Sequence, residues 1–114
     1  MTSPEKARGS AWERTVAKYF NERGFLRVER RYGAGNTLDK GDLNGLRDVV
    51  IECKAVKAIN LADIMNETLR ERENAKAKYG VAVIKRRNRG VDQAYVMMTL
   101  ENFCTLLHET PHLW

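Results

Sequence analysis

Hydrophobic residues along this chain switch between helical and strand spacing, and the switches predict the order of its elements. From Trp12 to Phe20 the apolar residues recur at intervals of three and four, which is typical of one face of an α-helix. The spacing predicts a helix over residues 10–23, preceded by a polar lead over residues 1–8. Gly24 follows as a natural residue to end this helix.

The next stretch predicts a strand, a loop and a hairpin. Residues 25–31 read as a first strand, and the β-branched run 49–54 reads as a buried strand. An Asn-Gly pair at residues 44–45 joins that run to residues 41–43, and such a pair between apolar runs is a strong hairpin signal. The glycine-containing loop 32–40 either closes over a phosphate backbone or is a solvated connector.

The second half of the chain predicts a helix, two strands and a short helix, over residues 61–79, 81–84, 94–98 and 100–107. Asn60 is suited to cap the first of these helices and Gly80 to end it. The strand 81–84 is continuously apolar, as expected for a strand buried on both faces. A helical connection from strand 49–54 should make the two strands parallel with a right-handed crossover. The fold class predicted is therefore α/β, with a mixed sheet flanked by helices.

Length and composition limit the class of protein. With 114 residues, 43% hydrophobic and 31% charged, the chain is expected to form one domain over residues 1–114 rather than a disordered segment. Cys53 and Cys104 lie in apolar runs, so we expect two reduced core residues and no disulfide framework. The absence of a signal peptide or a long apolar span predicts a cytoplasmic protein with no membrane partner.

The charge balance favours an anionic partner. The chain has 20 Lys and Arg against 15 Asp and Glu, a formal net charge of +5. Such a balance is common in proteins that bind nucleic acids, although it does not require one. A basic turn over residues 85–90 is its densest element.

Candidate chemistry is concentrated on the hairpin. Glu52 and Lys54 are two residues apart in a strand and therefore share a face, and the hairpin brings Asp42 across from them. Two carboxylates at the mouth of a buried strand cost desolvation free energy, which a hard divalent cation such as Mg²⁺ or Mn²⁺ offsets. Taken alone, the same spacing also fits a solvated ion pair at a strand end.

Two further groups were weighed as site residues. Glu13 lies beside Trp12 at the edge of the buried face of the first helix, an unusual place for an acid. Taken alone, it is explained as a half-exposed carboxylate near a positive helix N-terminus. His108 and His112 are four residues apart, but Pro111 interrupts any helix there. We interpret them as tail residues and not as a metal site.

The hairpin pattern resembles the PD-(D/E)XK nuclease superfamily, with Asp42 as the first acid and Glu52-Cys53-Lys54 as the second half of the motif. The predicted order of elements is similar to the αβββαβ core of these restriction-endonuclease-like proteins, over residues 9–99. The motif's usual proline is replaced by Gly41. This resemblance implies a mixed central sheet and a metal-dependent hydrolase.

Within that superfamily, the chain looks most like the small Holliday junction resolvases of archaea and phages. The features that resemble them are a glycine-led first helix with an acid (residues 9–13), a Gly-Phe start to the first strand (24–25), basic residues and a glycine-containing loop. The resemblance implies a structure-specific endodeoxyribonuclease that acts on four-way junctions. It also implies a place in the nucleoid or in the cytoplasm of a phage-infected host.

The resemblance assigns roles to individual residues. Asp42, Glu52 and the backbone carbonyl of Cys53 would bind Mg²⁺ or Mn²⁺, and Glu13 would contact the metal through water or hold a second ion. Lys54 would orient or help to deprotonate the water that attacks the phosphodiester. No covalent intermediate and no nucleotide cofactor are implied. Either Asn74 or Glu71 would supply a polar group from the second long helix.

Branched or duplex DNA is the partner that this resemblance implies. The candidate DNA-binding residues are basic positions near the motif strand: Arg27, Arg30, Arg31, Lys40, Lys85, Arg86, Arg87 and Arg89. Any one of these alone is explained equally well as a solubilising surface charge.

A resolvase makes two symmetric cuts, so a homodimer is expected. The candidate interface residues are apolar positions near the C-terminus: Val96, Met97, Met98, Phe103, Leu106, Leu107, Leu113 and Trp114. Packing in the core explains the methionines equally well.

Three alternatives remain open at this point. The protein is a related endonuclease that acts on flaps, nicks or duplex DNA, with the same site residues. It is a DNA-binding module of the same fold that does not cleave, which the complete motif argues against. Or it is a structural protein whose charges are merely solvated, in which case no metal dependence is expected.

Overall fold

The computed structural model describes residues 3–31 and 38–114, and its elements follow the predicted order. The long elements are helices α1 and α2 and strands β3 and β4: Pro4–Glu22, Leu61–Ala75, Val49–Lys54 and Tyr79–Ile84. The short ones are β1, β2, β5 and helix α3: Glu29–Arg30, Leu43–Asn44, Tyr95–Met97 and Leu100–Glu109. Two 3₁₀ turns complete them, Val91–Gln93 and Pro111–Leu113. Most of the predicted 32–40 loop, residues 32–37, lies outside the described residues.

The five strands form one mixed sheet in the order β1-β2-β3-β4-β5. Strands β3 and β4 are parallel, and the other neighbouring pairs are antiparallel. The predicted α/β class with a mixed sheet flanked by helices is confirmed. No helix among the residues described is both long and apolar enough to cross a membrane.

The hydrophobic core lies mainly between α1 and the sheet. The buried residues of this layer are Trp12, Val16, Ala17, Val28, Leu43, Ile51, Cys53 and Val83. The indole Nε1 of Trp12 donates to the carbonyl of Val83 at 3.1 Å, so the polar atom of the largest core side chain is satisfied. On the opposite face Ile64 of α2 packs with Ala82 and Ile84. Burial of Cys53 is as predicted, but the prediction for Cys104 is wrong, because that thiol is exposed on α3.

Local capping explains why the helix bounds differ from the sequence prediction. α1 begins at Pro4, not at residue 10, because the Ser3 hydroxyl accepts from the Lys6 N–H and proline suits a first turn. α2 ends at Ala75, not at residue 79, because Lys76 adopts a left-handed conformation. Gly80 therefore does not end the helix and lies in β4.

The first strand and the hairpin are also shorter than predicted. Only Glu29–Arg30 pairs as β1, because the amide of Asn21 donates to the carbonyls of Phe25 and Val28 and holds that segment in a turn. In the hairpin, Leu43 faces Ile51, which makes residues 45–48 the connection instead of a two-residue turn.

Gly45 and Gly9 are expected to respond oppositely to alanine. Gly45 has a φ of +104° and an added Cβ would lie 2.0 Å from the carbonyl oxygen of Arg27. Gly9 lies inside α1, and its Cβ would meet nothing within 4 Å. We expect Gly45→Ala to lower the free energy of unfolding by at least about 1–3 kcal/mol. Gly9→Ala should raise it by about 0.5–1 kcal/mol.

Urea unfolding followed by circular dichroism measures both changes. Equal stability of Gly45→Ala and the native protein would contradict the hairpin geometry described here.

Candidate active site

Side chains alternate between the two faces of β3, which separates those in the core from those in the candidate site. Ile51 and Cys53 point into the layer under α1, while Glu52 and Lys54 point toward α2. Glu52 is only 2% exposed, and its Oε2 lies 3.8 Å from the Nζ of Lys54. The predicted side-by-side placement of this acid and lysine is confirmed.

Asp42 is fixed beside β3 by its backbone and by its side chain. Its N–H donates to the carbonyl of Ile51 at 2.8 Å, and its Oδ2 accepts from the N–H of Cys53 at 2.8 Å. Its carbonyl accepts from the N–H of Arg31. The hairpin therefore places Asp42 across from the motif strand, as predicted. The side chain of Asp42 also hydrogen-bonds with the carboxyl of Glu52.

Gly41 has a backbone conformation that proline cannot adopt. Its φ is +97°, whereas the proline ring holds φ near −65°. A Cβ at this position would also lie 2.9 Å from the carbonyl oxygen of Ile51. The backbone conformation at this position therefore excludes the proline that is usual in the motif.

Two glutamates of α2, Glu67 and Glu71, lie beside the acid and lysine of β3; Glu71 was one of the two polar candidates on this helix, and Glu67 was not predicted as a site residue. Glu67 and Glu71 are one helical turn apart and share a face. The Oε2 of Glu67 lies 2.7 Å from the Nζ of Lys54, and Glu71 is 1% exposed. The buried residues of α2 are Ile64, Thr68 and Glu71, whereas Leu61 is exposed.

Asp39 joins this group from the segment that precedes Asp42. Its carboxylate and those of Glu67 and Glu71 have oxygens within 4.8 Å of one another. Its Oδ1 accepts from the N–H of Gly41 at 3.0 Å, and its carbonyl accepts from the amide of Asn74 at 2.8 Å. Of the two polar candidates on α2, Glu71 therefore lies in the site and Asn74 supports its edge. We call the acids Asp39, Asp42, Glu52, Glu67 and Glu71 the acid cluster.

Burial and crowding raise the pKa values of two members of the acid cluster, Glu52 and Glu71. Burial raises the pKa of Glu52, and hydrogen bonding with Asp42 and Glu71 raises it further. Burial raises the pKa of Glu71 to about 7, an effect that hydrogen bonding to Glu52 opposes and the charges of Asp39 and Glu67 reinforce. Without a cation, a proton shared between carboxyls is what keeps these groups together.

Lys54 keeps its positive charge in this setting. Burial by itself would lower its pKa, but the hydrogen bond to Glu67 and the charge of Glu52 outweigh burial and raise the pKa. The pKa of Glu67 is lowered although burial opposes this, because Glu52 and Lys54 hydrogen-bond to its carboxylate. The lysine is therefore an ammonium at neutral pH.

Glu13 lies near the site but has its own partner. Its Oε1 accepts from the Nε of Arg30 at 3.1 Å, and Arg30 also donates to Ser10. Burial and the charge of Asp42 raise the pKa of Glu13 against the effect of Arg30. The predicted neighbourhood of Glu13 and Asp42 is thus present. Arg30 is held against α1 at the same time.

The predicted basic residues differ in how much of each is exposed. Lys40, Lys85, Arg87 and Arg89 are exposed, while Arg31 is half-buried. Arg86 is partly used by the fold, since its guanidinium lies 5.0 Å from the ring centroid of Tyr95 and donates to the carbonyl of Gln93. The N–H of Lys85 donates to the carbonyl of Lys54 at 2.9 Å, so the basic turn starts at the end of the motif strand.

A basic cavity beside this turn was missed by the sequence analysis. It has a volume of about 330 Å³ and is lined by Arg8, Lys57, Lys85 and Arg87 with Asn88 and apolar residues, and no described lining residue is acidic. Arg8 was missed because the helix was predicted to begin after it. Lys57 was missed because it lies in a loop with no recognisable pattern. We call the four basic residues the basic patch.

No family model, curated protein or solved structure matches the chain. The resemblance to the nuclease superfamily therefore rests on the motif residues and on the order of the elements.

The raised pKa of Glu71 predicts a pH dependence of stability. An acid whose pKa rises on folding, here from a usual value of 4.5 to about 7, stabilises the folded state below its unfolded pKa. That contribution is lost as pH rises through the folded pKa. In EDTA, we expect the melting temperature to fall between pH 5 and pH 8, and less so in Glu71→Gln, which cannot ionise.

Thermal unfolding at each pH measures this, with Glu73→Gln on the exposed side of α2 as the matched control. The same pH profile in Glu71→Gln and in the native protein would contradict the assignment.

Proposed function

We propose that this protein is a divalent-metal-dependent, structure-specific DNA endonuclease on a restriction-endonuclease-like αβββαβ core. The observation that carries the proposal is the convergence of Asp42, Glu52 and Lys54 at one end of β3, beside the basic turn. An ion pair between Glu52 and Lys54 that served stability alone gains little from Asp42, Glu67 and Glu71, which are buried or half-buried around it. A site that binds a cation and a phosphate would have a use for each of these acids and for Lys54.

The donor set fits a hard cation. Asp42 has one carboxylate oxygen without the Cys53 amide as donor, and Glu52 is buried among other acids. The N–H and C=O of a strand residue point to the same side, so the carbonyl of Cys53 faces the side on which Asp42 lies. All three are oxygen ligands of the kind that Mg²⁺ and Mn²⁺ prefer. When bound, such an ion would polarise the phosphate and lower the pKa of a coordinated water.

The chain's own groups would position the DNA and stabilise charge. Lys54 is an ammonium held at 2.7 Å by Glu67, so its role is to orient the water or the phosphate and to offset developing negative charge. Its raised pKa argues against a role as the base. Glu13, beside Asp42 and paired with Arg30, would act through water or hold its neighbours in place.

The basic patch is the surface that would hold the DNA backbone. It presents four cationic side chains around one cavity next to the end of β3. Phosphate contacts of this kind give affinity that depends on salt and carries no base sequence. This suits an enzyme that recognises the shape of a junction. Lys40 and Arg89 are exposed and extend the set of candidates.

A second copy of the chain would supply the second cut of a junction. Strand β5 forms one edge of the sheet, and with the start of α3 it lines an apolar cavity of about 780 Å³. Val96 on this strand is 66% exposed and Leu100 is 75% exposed. We assign the homodimer interface to this surface.

Light scattering should give twice the chain mass for the native protein, and the mass of a single chain for Val96→Asp.

Cleavage of branched DNA tests the proposed reaction. A labelled four-way junction, a flap and a linear duplex are each incubated with the native protein in Mg²⁺ or in EDTA. We expect paired nicks in the junction that require the metal. Lys54→Ala should reduce the rate at least about 100-fold, because one charge-stabilising group is removed, while DNA binding is kept. Lys18→Ala, an exposed lysine on α1, is the matched control.

Each outcome of this assay decides between the proposed resolvase and the alternative functions. Cleavage of all three substrates would keep the nuclease and reject the resolvase. Binding without metal-dependent cleavage would favour the module that does not cleave. Undiminished cleavage by Lys54→Ala would show that the proposed site is wrong.

The basic patch has its own test in the salt dependence of binding. Each phosphate contact adds about 0.9 to the slope of log affinity against log salt. Replacing Lys57 and Arg87 with alanine should therefore lower that slope by about 1.8. The control replaces Lys18 and Arg23, at the other end of α1, and removes the same charge. A slope that changes equally in both proteins would exclude the basic patch from the interface.

A further inference from the structure

A second cation site, separate from the motif acids, is indicated by the way Glu71 is buried. Neither of its carboxylate oxygens has a nitrogen or hydroxyl donor among residues 3–31 and 38–114. Its close polar neighbour is the carboxyl of Glu52, and Asp39, Asp42 and Glu67 add negative charge around it. A buried carboxylate in this setting requires either a shared proton or a cation.

Among the residues that the structure describes, no lysine or arginine forms an ion pair with Glu71. Lys54 contacts Glu52 and Glu67, and Arg70 acts electrostatically on Glu67. The acid cluster contains five carboxyls, and Lys54 is the ammonium that pairs within it. One ion at Asp42 and Glu52 would leave Asp39 and Glu71 without a positive partner of their own.

The geometry of Asp39, Glu67 and Glu71 suits a single ion. Their ligand oxygens lie within 4.8 Å of one another. Two oxygens on opposite sides of one Ca²⁺ are about 4.6–5.2 Å apart, twice the metal–oxygen distance, and about 4.0–4.2 Å apart around Mg²⁺. Oxygens within this distance of one another can share one hard divalent cation after small movements of the side chains.

Access and positioning complete the case. A cavity of about 340 Å³ opens beside the three acids and is lined by them together with Arg70, Glu73 and Asn74. Asp39 is held at the rim of this cavity, since its side chain accepts from Gly41 and its carbonyl from Asn74.

We propose that Asp39, Glu67 and Glu71 form a second site for a hard divalent cation, beside the motif site and bridged to it by Glu52. Cation binding rests on these residues alone, whereas any use of the ion in DNA cleavage rests on the proposed function. The two ions would share the negative charge of the acid cluster and leave Lys54 to face the phosphate.

Counting bound Mn²⁺ tests this site directly. The electron paramagnetic resonance signal of free Mn²⁺ is followed during titration of the purified protein at pH 8. We expect two bound ions in the native protein. In Asp39→Asn and Glu71→Gln, the affinity for one of them should fall at least about tenfold, since even outer partners of a metal site contribute this much. Asp42→Asn should weaken the other ion.

The variants are chosen so that folding does not confuse the result. Asparagine at position 39 keeps the oxygen that accepts from Gly41 and removes only the charge, at an exposed residue. Glutamine at position 71 has nearly the same shape as glutamate and cannot carry its negative charge. Glu73→Gln lies on the same helix, lines the same cavity and is outside the cluster, so it should bind two ions like the native protein.

A second measurement uses Ca²⁺ and the melting temperature, because a ligand of the folded state raises it. The rise at saturating Ca²⁺ should be smaller in Asp39→Asn than in the native protein and Glu73→Gln. Identical Mn²⁺ isotherms for Asp39→Asn, Glu71→Gln and the native protein would overturn the site and leave a shared proton as the partner of Glu71. Two bound ions without DNA cleavage would keep the site and reject the nuclease, and cleavage with one bound ion would do the reverse.

Discussion

The burial of the Glu52 carboxyl on β3 is the constraint on which the rest of this structure depends. A charged group in the interior of a sheet is costly unless another charge or a proton meets it. The fold meets Glu52 with Lys54 on the same strand and with Asp42 and Glu71 from the adjoining elements. The elements next to β3 therefore each place an ionisable side chain beside one buried carboxyl.

The two faces of β3 illustrate a division of labour within six residues. One face contributes Ile51 and Cys53 to the apolar layer beneath α1, and the other contributes Glu52 and Lys54 to the layer beneath α2. The apolar face stabilises the fold, and the charged face takes stability away from it unless protons or cations bind. Stability and ligand binding are thereby coupled through a single strand.

The sequence predicted the parts of the fold that local spacing determines, and missed those that depend on packing across elements. The apolar run and the Asn-Gly pair were sufficient to predict the strand that carries Glu52 and Lys54 and to place Asp42 across from it. Glu67 was missed, and Glu71 could not be chosen over Asn74, because polar residues on a charged helix look alike in sequence, whether they face solvent or a buried partner. The contact between Arg30 and Glu13 was also missed, because nothing local in the sequence relates two residues that are seventeen positions apart.

Asp42 has a consequence for how relatives of this chain are to be compared. Its backbone and side chain bond to Ile51, Cys53 and Arg31, so it fastens three neighbouring chain segments whether or not a ligand is present. In any relative with this hairpin, loss of the aspartate would therefore loosen the backbone at this position, whatever the function of the protein. Among the residues that the structure describes, the ammonium of Lys54 pairs with the side chains of Glu52 and Glu67 and not with the backbone. Loss of the lysine would change the charge around Glu52 and leave these backbone bonds in place.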